Sequence, residues 1–438
     1  MKKIIASAVG LMLAGGIVTT ASAVETQFGG YWRTRFTHED NFSGKDTASV
    51  DYVDTRTRLY LTAKFSDDFK FVNKFEINNG WGDNTKTQTA KIQTGTKLNA
   101  DGTTSPVYTT GDVSSAGLGS GGDLGADGKG NIRLKNSYAD FNMGPMVNAK
   151  VGIQPFKVAR GFIINDDASG VILTGKFGMV TVPLVWMNLS NEETYPGDTA
   201  DVANMDQNIW AALVSVKIND NMSVTPYFVY HTLTASETLE DSKNWYLGAD
   251  ADLKFGSVSL WGTGIYNGGD FNNQDNKGYL GALGVDAGIA HGQFFYASGD
   301  DNADDQDNDA FISAPGPGAG KRVGSSYYWA EIMGYGMFDN HLSSGSPGDD
   351  ISNVMAGNAG VTIKPMDKLA INGDLWYAAL AQDNANGDKE LGWEFDAKVS
   401  YKIYDNLTAD AIFAYLLSGD ATGDEDVTEG GLQLSLSF

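Results

Sequence analysis

Hydrophobic and polar residues alternate one by one along most of this chain, and this alternation limits the possible folds more than any other feature. Residues 58–65, 393–403 and 432–438 show it without interruption. Successive side chains of a β-strand point to opposite faces, so each such segment has one apolar face and one polar face. After residue 23 there is no apolar run near the roughly 18 residues that a membrane-spanning helix requires. The pattern therefore predicts an all-β protein.

The connections between the alternating segments differ in length in a regular way. The segments predict eighteen strands, at residues 25–38, 51–65, 69–79, 131–142, 147–156, 168–177, 180–190, 206–217, 222–232, 243–255, 257–267, 278–289, 292–299, 353–364, 368–382, 389–404, 407–418 and 429–438. Short connections such as 66–68 and 143–146 alternate with long ones such as 80–130 and 300–352. An even number of strands, with short turns at one rim and long loops at the other, is typical of an outer-membrane β-barrel.

Alternation alone would also suit a soluble β-sandwich, so the choice of a barrel rests on a second argument. In a bilayer every backbone N–H and C=O group must be paired within the protein, and strands achieve this only in a closed barrel. We therefore predict one domain over residues 24–438, an all-β, transmembrane, antiparallel up-and-down β-barrel of about 18 strands with short periplasmic turns and long extracellular loops. Aromatic residues near the predicted strand ends, including Trp32, Trp245 and Trp261, would lie at the membrane interfaces.

The first 23 residues and the charge of the chain indicate export and argue against a nucleic-acid partner. Lys2 and Lys3, the apolar run after them and the small residues 21–23 are typical of a cleaved signal peptide. The formal net charge is −24, and it becomes −26 without the leader, which carries two lysines and no acid. Nucleic-acid binding depends on cations that neutralise phosphates. The chain also has no cysteine, so its stability cannot come from disulfides.

Both ends of the mature chain resemble those of Gram-negative outer-membrane proteins. The first strand opens at Glu25 after the signal peptide, and the last alternating strand ends in Phe438. In that group a terminal aromatic residue is the recognition signal for the outer-membrane assembly machinery, so the resemblance implies this role for Phe438. More narrowly, residues 151–171 and the hairpin at 364–369 resemble segments of the alginate-export-type family of eighteen-stranded barrels. This second resemblance implies a dedicated exporter of an anionic polysaccharide.

If the apolar residues face lipid, the polar residues face a channel, and their charges divide into two groups. On the first five predicted strands the inward cations are Arg33, Arg35, Arg56, Arg58, Lys64, Lys70, Lys74, Arg133, Lys135 and Lys150. On the tenth to seventeenth strands the inward acids are Asp250, Asp252, Asp286, Asp374, Glu394, Asp396 and Asp410. In a closed ring these groups lie roughly opposite each other. A basic wall would then face a more acidic one, and the field between them would favour polar or charged solutes, with the basic wall favouring anions. Alternatively, these cations pair with neighbouring carboxylates and stabilise the wall.

The two longest loops, 80–130 and 300–352, are candidates to fold into the lumen, because loops beyond roughly 15 residues are usually functional or disordered. The aromatic stretch 327–335 favours a packed element within the second loop. Six aspartates from Asp300 to Asp309 could hold Ca²⁺. Surface loops rich in Asp and Asn are usually only solvated, or bridged to lipopolysaccharide by divalent ions, so we predict no metal site and no cofactor. The four histidines have no recurring serine or aspartate nearby that would indicate nucleophilic catalysis.

These features together predict a non-enzymatic, porin-like channel in the outer membrane. It would pass small polar or anionic solutes by passive diffusion, with membrane lipid, lipopolysaccharide and the assembly machinery as its other partners. Two alternatives stay open at this point: the polysaccharide exporter that the narrower resemblance implies, and a structural or adhesive barrel with a blocked lumen.

Overall fold

The computed structural model describes most of residues 24–438. Its described residues are 24–41, 44–46, 49–81, 88–98, 104–113, 132–190, 206–234, 241–271, 274–302, 306–314, 327–334, 336 and 351–438, with the backbone alone described for 88–98 and 104–113. The predicted signal peptide at 1–23 lies outside them, as do large parts of the two longest predicted loops. Among the described residues, no helix has the length and apolar character needed to cross a membrane.

Eighteen long strands, here numbered β1 to β18 in chain order, form one sheet in the described part of the chain. They are Glu25–Asp40, Val50–Ser66, Phe69–Gly80, Ile132–Asn142, Val147–Val158, Ile164–Phe177, Val180–Ser190, Asp206–Asn219, Met222–Thr234, Ser242–Phe255, Val258–Phe271, Tyr279–Ala287, Ala290–Ala297, Val354–Met366, Leu369–Leu380, Glu390–Tyr404, Leu407–Ser418 and Val427–Ser437. Strand β8 is interrupted at Val214, which separates Asp206–Leu213 from Ser215–Asn219. The boundaries agree with the predicted strands to within a few residues.

Three smaller elements accompany the barrel strands. Gln88–Leu98 and Thr104–Val113 pair only with each other, as a separate antiparallel hairpin. The short strands Gln274–Asn276 and Asp307–Asn308 pair in parallel. A 3₁₀ turn, Ala159–Gly161, connects β5 to β6.

The sheet closes on itself between its first and last strands. Each strand pairs in antiparallel fashion with the next, and β1 pairs with β18 from Tyr31 opposite Ser437 to Asp40 opposite Thr428. The Phe438 N–H donates to the Gly30 carbonyl at 3.1 Å, and the Gly30 N–H donates to the Phe438 carbonyl at 2.8 Å. Closure pairs the backbone of both terminal strands, as a lipid environment requires. The prediction of a closed, antiparallel, eighteen-stranded barrel is confirmed.

The alternation in the sequence becomes an apolar outside and a largely polar inside. Apolar side chains on the outer face are well exposed, for example Phe28 at 66% and Leu432 at 58%. Such an exposed apolar belt around a closed barrel is the surface that lipid covers. One prediction about this belt is wrong: Trp261 lies opposite Asp252 in the ladder, on the lumen face, and the Arg160 guanidinium lies 5.0 Å from its ring centroid. Hydrophobicity alone cannot distinguish a lipid-facing tryptophan from one that supports a cation.

The lumen also holds a hydrophobic core, which two connecting segments form with inward side chains of the barrel. The β5–β6 turn places Phe162 inside, where its ring stacks on Tyr327 from the β13–β14 connection with centroids 3.8 Å apart. Trp329 packs between Phe295 at 5.4 Å and Trp376 at 5.3 Å. Among the described residues, the strands that contribute to this core are β5 to β18, and β1 to β4 contribute none. Residues 158–164 and 327–334 are called the inward segments below.

Two connections differ from the sequence prediction. The connection predicted at 157–167 is shorter, because β5 extends to Val158 and β6 begins at Ile164. His291, predicted to lie in a tight turn, lies within β13, and the turn is instead made by Gly288 and Ile289. Gly288 has φ of +67°, a conformation that glycine adopts without steric cost. His291 therefore faces the lumen beside Asp374.

Candidate functional site

The cations predicted on the first strands lie on the lumen face of β1 to β5. Register places Arg33 opposite Arg56, Arg35 opposite Asp54 and Lys64 opposite Lys70, so these side chains share one face of the sheet. Lys150 lies opposite Asp140 on the same face. A β-bulge between β3 and β4 leaves Lys135 without an opposite residue, and it still reaches Asp167. Arg133 lies opposite Glu76 and is exposed.

Most of these cations form ion pairs along the wall. The pairs are Arg35–Asp54 at 2.5 Å, Arg58–Glu76 at 2.6 Å, Lys135–Asp167 at 2.6 Å, Lys64–Asp67 at 2.6 Å and Lys70–Asp140 at 3.3 Å. Arg56 donates to the Asn78 side chain at 2.7 Å and lies 3.8 Å from Glu76. The alternative prediction, that wall cations pair with neighbouring carboxylates, therefore describes part of the wall.

On the basic wall, β1 to β6, three lumen-facing lysines form no ion pair with any carboxylate in the described part of the chain: Lys74, Lys150 and Lys176. Two of them lie over aromatic rings instead. The Lys74 Nζ is 5.4 Å from the Tyr60 ring centroid, and the Lys150 Nζ is 5.8 Å from that of Tyr138. A ring face attracts a cation without neutralising its charge. These lysines therefore keep their positive charge available to a solute.

The basic wall becomes more exposed toward the rim of short turns. The exposed fraction of the side chain rises from 0% at Arg35 to 25% at Arg58 and 48% at Lys70. At that rim a cavity of about 570 Å³ is lined by residues of β1 to β6, among them Lys64, Lys70, Lys150 and Lys176. The wall therefore ends in an open polar chamber.

The chamber also contains carboxylates, and most of them already have partners. Asp67 and Asp140 pair with Lys64 and Lys70, and Asp68 accepts a hydrogen bond of 2.9 Å from the Asn142 side chain. Lys150 and Lys176 are then the two cations of the chamber without a described carboxylate partner.

The acids of the opposite wall face inward by register, but they do not form one acidic surface. Glu394 is fully buried, and its carboxylate accepts backbone N–H groups of Ile332 at 2.6 Å and Met333 at 2.9 Å. Asp396 accepts the Glu331 N–H at 3.3 Å. The sequence placed both acids on the pore lining, and the structure corrects this, because an inward segment lies over them.

Asp250 and Asp252 belong to the group of hydrogen bonds that holds the other inward segment, residues 158–164. Asp252 pairs with Arg160 at 2.8 Å, and the same guanidinium donates to the Ala251 carbonyl at 3.2 Å and the Thr263 hydroxyl at 3.1 Å. The Thr263 hydroxyl in turn donates to Asp250 at 2.8 Å. Arg160 has φ of +55°, which is uncommon for a residue other than glycine. The β5–β6 turn is thus attached across the lumen to β10 and β11.

The remaining acids of this wall lie nearer the rim of short turns. Asp374 accepts hydrogen bonds from Asn358 at 2.6 Å and pairs with His291 at 2.8 Å. Asp410 accepts a hydrogen bond from the Ser400 hydroxyl. Asp286 is exposed on the lumen face. The lysines that share this wall are Lys254, Lys398 and Lys402, each opposite a lumen-facing residue of the neighbouring strand. Acids and lysines therefore balance closely on the part of this wall that the inward segments leave uncovered.

The acidic run in the β13–β14 connection brings three of its aspartates together. One carboxylate oxygen from each of Asp300, Asp301 and Asp309 lies within 4.8 Å of the others. Partial burial, and then the neighbouring aspartates, raise the pKa of Asp309 above its usual range. Asp304 and Asp305 lie outside the described residues.

Some lumen residues were not identified from the sequence. Lys176 is the second-to-last residue of β6. The predicted polar face of this strand carried no other charge. Arg160 was placed in a loop, and its inward direction depends on the left-handed backbone at Ala159 and Arg160. Tyr60 and Tyr138 lie among the polar residues of the alternation, which is the one signal that could have placed them in the lumen.

No protein-family model and no curated protein matches this chain. Solved structures with the same fold include Pseudomonas aeruginosa OccK9 (OpdG), with a TM-score of 0.56 and 13% identity, covering 94% of this chain and 99% of that one. Pseudomonas aeruginosa OccK8 (OprE) has a TM-score of 0.55 and 12% identity, covering 94% and 98%. Acinetobacter baumannii OccAB1 has a TM-score of 0.54 and 11% identity, covering 94% and 96%.

At this level of identity the comparison shows the fold. The three structures are outer-membrane porins, and they do not support the narrower resemblance to alginate-export-type barrels. The closed barrel, its exposed apolar belt and this shared fold place the chain in the outer membrane, as predicted from the sequence.

Proposed function

We propose that this chain is an outer-membrane channel through which small polar or anionic solutes diffuse passively along a partly basic lumen wall. The observation that carries the proposal is the set of three lumen-facing lysines, Lys74, Lys150 and Lys176, that lack a described carboxylate partner. A channel must attract its solute without holding it, so isolated cations suit transport better than a tight cluster.

The distribution of pairs along the basic wall supports a division of roles. Arg35 and Arg58 are each held by a carboxylate on a neighbouring strand, and Lys135 is held by Asp167 of β6. These cations fix the wall and contribute little net charge. Lys74 and Lys150 rest on tyrosine rings and retain their charge. An anion would pass from the middle of the wall to the chamber at the rim of short turns, which in an outer-membrane barrel faces the periplasm.

The opposite wall supports the same direction of selectivity. Two of its acids, Glu394 and Asp396, are covered by an inward segment. Its uncovered acids are accompanied by lysines. The transverse field expected from two oppositely charged walls is therefore replaced by one basic side and one nearly neutral side, which favours anions.

The proposal also assigns roles to Phe438 and to the outer surface of the barrel. Phe438 is half-exposed at the closure of the barrel, with its ring centroid 6.1 Å from that of Phe28. We assign it the role of an assembly signal for the outer-membrane insertion machinery, and lipid and lipopolysaccharide are the partners of the apolar belt. No covalent chemistry and no cofactor enters the proposed activity.

Planar-bilayer recording of the purified barrel tests the proposal. A diffusion channel gives ohmic steps and a reversal potential on the anion side in a salt gradient. A polysaccharide exporter would give small steps that its polymer blocks, and a sealed barrel would give none. Either of these two results would contradict the proposed function.

A further inference from the structure

The strongest contact that the proposed function leaves unexplained joins Glu394 of β16 to the inward segment 327–334. Both oxygens of the Glu394 carboxylate are used, one by the Ile332 N–H at 2.6 Å and the other by the Met333 N–H at 2.9 Å. Asp396, two residues along the same strand face, accepts the preceding N–H, that of Glu331, at 3.3 Å. Three consecutive backbone donors of the segment thus point at two carboxylates of the barrel wall.

The rest of this contact is apolar. Ala330, Ile332 and Met333 are almost completely buried, and Trp329 packs against Trp376 of β15. The Trp329 N–H donates to the Gly334 carbonyl at 3.2 Å, which closes the segment into a turn. Apolar contacts do not fix direction, whereas a carboxylate that accepts two N–H groups does. The Glu394 carboxylate therefore determines where the turn sits on the wall.

Burial of a carboxylate at this position is unfavourable in itself. Glu394 lies beside Asp396 and near Glu331 and Glu429, so other carboxyl groups surround it. Burying a charge is costly unless hydrogen bonds compensate for it. The backbone N–H groups of the inward segment compensate Glu394, together with a side-chain hydrogen bond between Asp396 and Glu394 on the same strand. The N–H groups link the position of the segment to this side chain.

We propose that Glu394 is a positioning residue that sets the aperture of the channel by holding segment 327–334 inside the barrel, with Asp396 as a weaker second acceptor. This inference rests on the proposed channel function. When the Glu394 carboxylate is removed, three N–H groups lose their acceptor or their alignment, and the segment moves away from β16. The space that it occupied then becomes part of the water-filled passage.

Chemical labelling tests the position of the segment without reference to conduction. The chain has no cysteine, so a single Met333→Cys substitution reports on the segment alone. Met333 is fully buried, so the introduced thiol should react slowly with a water-soluble maleimide. Adding Glu394→Ala should raise the labelling rate at least about tenfold, and Glu394→Gln, which keeps one carbonyl acceptor, should give an intermediate rate.

Two controls separate the contact between Glu394 and the segment from general effects of substitution on the barrel. Asp410→Asn removes a carboxylate from the same face of the next strand, where Asp410 bonds to Ser400 and not to the segment, so it should leave the labelling rate unchanged. Tyr328→Cys starts from a side chain that is 55% exposed and should label quickly in every background. Heat-dependent migration on gels confirms that each variant is a closed barrel. Equal labelling of Met333→Cys with and without Glu394 would overturn the inference.

Conductance gives the second readout and keeps the two proposals distinguishable. Glu394→Ala should increase the single-channel step by about twofold and admit larger neutral sugars in a liposome-swelling assay. Asp410→Asn leaves the segment attached and should not raise the size limit for neutral sugars. If the wild-type barrel does not conduct, the proposed function fails, whatever the labelling shows. If it conducts and the step and size limit do not change in Glu394→Ala, the positioning role of Glu394 fails and the channel proposal stands.

Discussion

Polar and apolar residues alternate along the strands on both sides of the lumen, yet the two sides present different surfaces to a solute. On β1 to β5 the inward charges lie along an open wall whose exposure increases toward the rim of short turns. On β10 to β17 inward acids lie partly beneath the inward segments, where Glu394 holds backbone N–H groups and Asp252 holds Arg160. Charge counted along a strand therefore predicts the direction of a side chain, but not whether a solute can reach it.

This contrast has a cause in packing. The hydrophobic core inside the barrel draws on β5 to β18 among the described residues, and the first four strands present polar side chains instead. The inward segments pack where apolar side chains are available, since burial of apolar surface drives their insertion. The part of the basic wall on β1 to β4 stays open because it offers them no such surface.

Reversing the charge of the three unpaired lysines should produce the largest change in selectivity. Lys74→Glu, Lys150→Glu and Lys176→Glu together turn the available cations of the open wall into acids, so the ratio of anion to cation permeability should fall at least about tenfold. The reversal potential in a potassium chloride gradient measures it. Lys368→Glu, in an exposed turn outside the wall, makes one such charge reversal and should shift the reversal potential much less than any one of the three substitutions alone. Equal shifts in the two proteins would show that the three lysines do not line the path.

Removing the Phe162 ring from the hydrophobic core inside the barrel should have the next largest effect, which is on packing. Phe162→Ala loses the stack on Tyr327 and the contact with Phe295. Truncation of a fully buried phenylalanine typically costs about 3–5 kcal/mol. We expect faster hydrogen exchange in residues 158–164 and 327–334, with little change in the barrel strands. Unchanged exchange in both segments would mean that the interior core does not hold them.

A smaller effect is expected where an inward segment is attached by a partly exposed ion pair. Asp252→Asn removes the charge partner of Arg160 but leaves the bonds of Arg160 to Thr263 and the Ala251 carbonyl. The loss should be less than about 1 kcal/mol. The freed guanidinium should move the reversal potential slightly further to the anion side. A shift to the cation side would contradict the placement of Arg160 in the passage.

The smallest effect is expected at the ion pair nearest the rim. Lys64→Ala breaks the pair with Asp67, whose side chain is almost fully exposed. Exposed pairs contribute little to stability, so the midpoint of urea unfolding should not change measurably. The reversal potential should change much less than in the triple lysine variant. A large shift would show that Lys64 is an available cation despite its partner.

The face to which each strand side chain points was predictable from the sequence, because successive residues of a strand point to opposite faces. Arg56 and Glu394 both face the lumen, as their places in the alternation require. The burial of Glu394 and its hydrogen bonds were not predictable, because its partners Ile332 and Met333 lie about 60 residues away in a loop that carries no periodic pattern. Trp261 was misplaced for a related reason: its ring supports a cation from another loop, and no local pattern encodes that contact.

Lys176 and His291 show a second limit. The predicted polar face of β6 held a single lysine next to a turn, which gave no reason to include Lys176 in the basic wall. For His291 the turn was assigned to the histidine, whereas Gly288 supplies the positive φ that the turn requires. Both positions depend on where a strand ends, and strand ends are set by backbone geometry more than by hydrophobic pattern.

The most direct test of the difference between the two walls is the rate at which a water-soluble, negatively charged thiol reagent modifies one cysteine on each. Lys74→Cys lies five residues from the start of β3 on the open wall, and Ala414→Cys lies seven residues from the start of β17 on the covered wall, where Ala414 is fully buried. The structure predicts that the first thiol reacts at least about a hundredfold faster in reconstituted barrels. Equal rates, or a faster reaction on the covered wall, would contradict the central claim that the solute path follows the basic side.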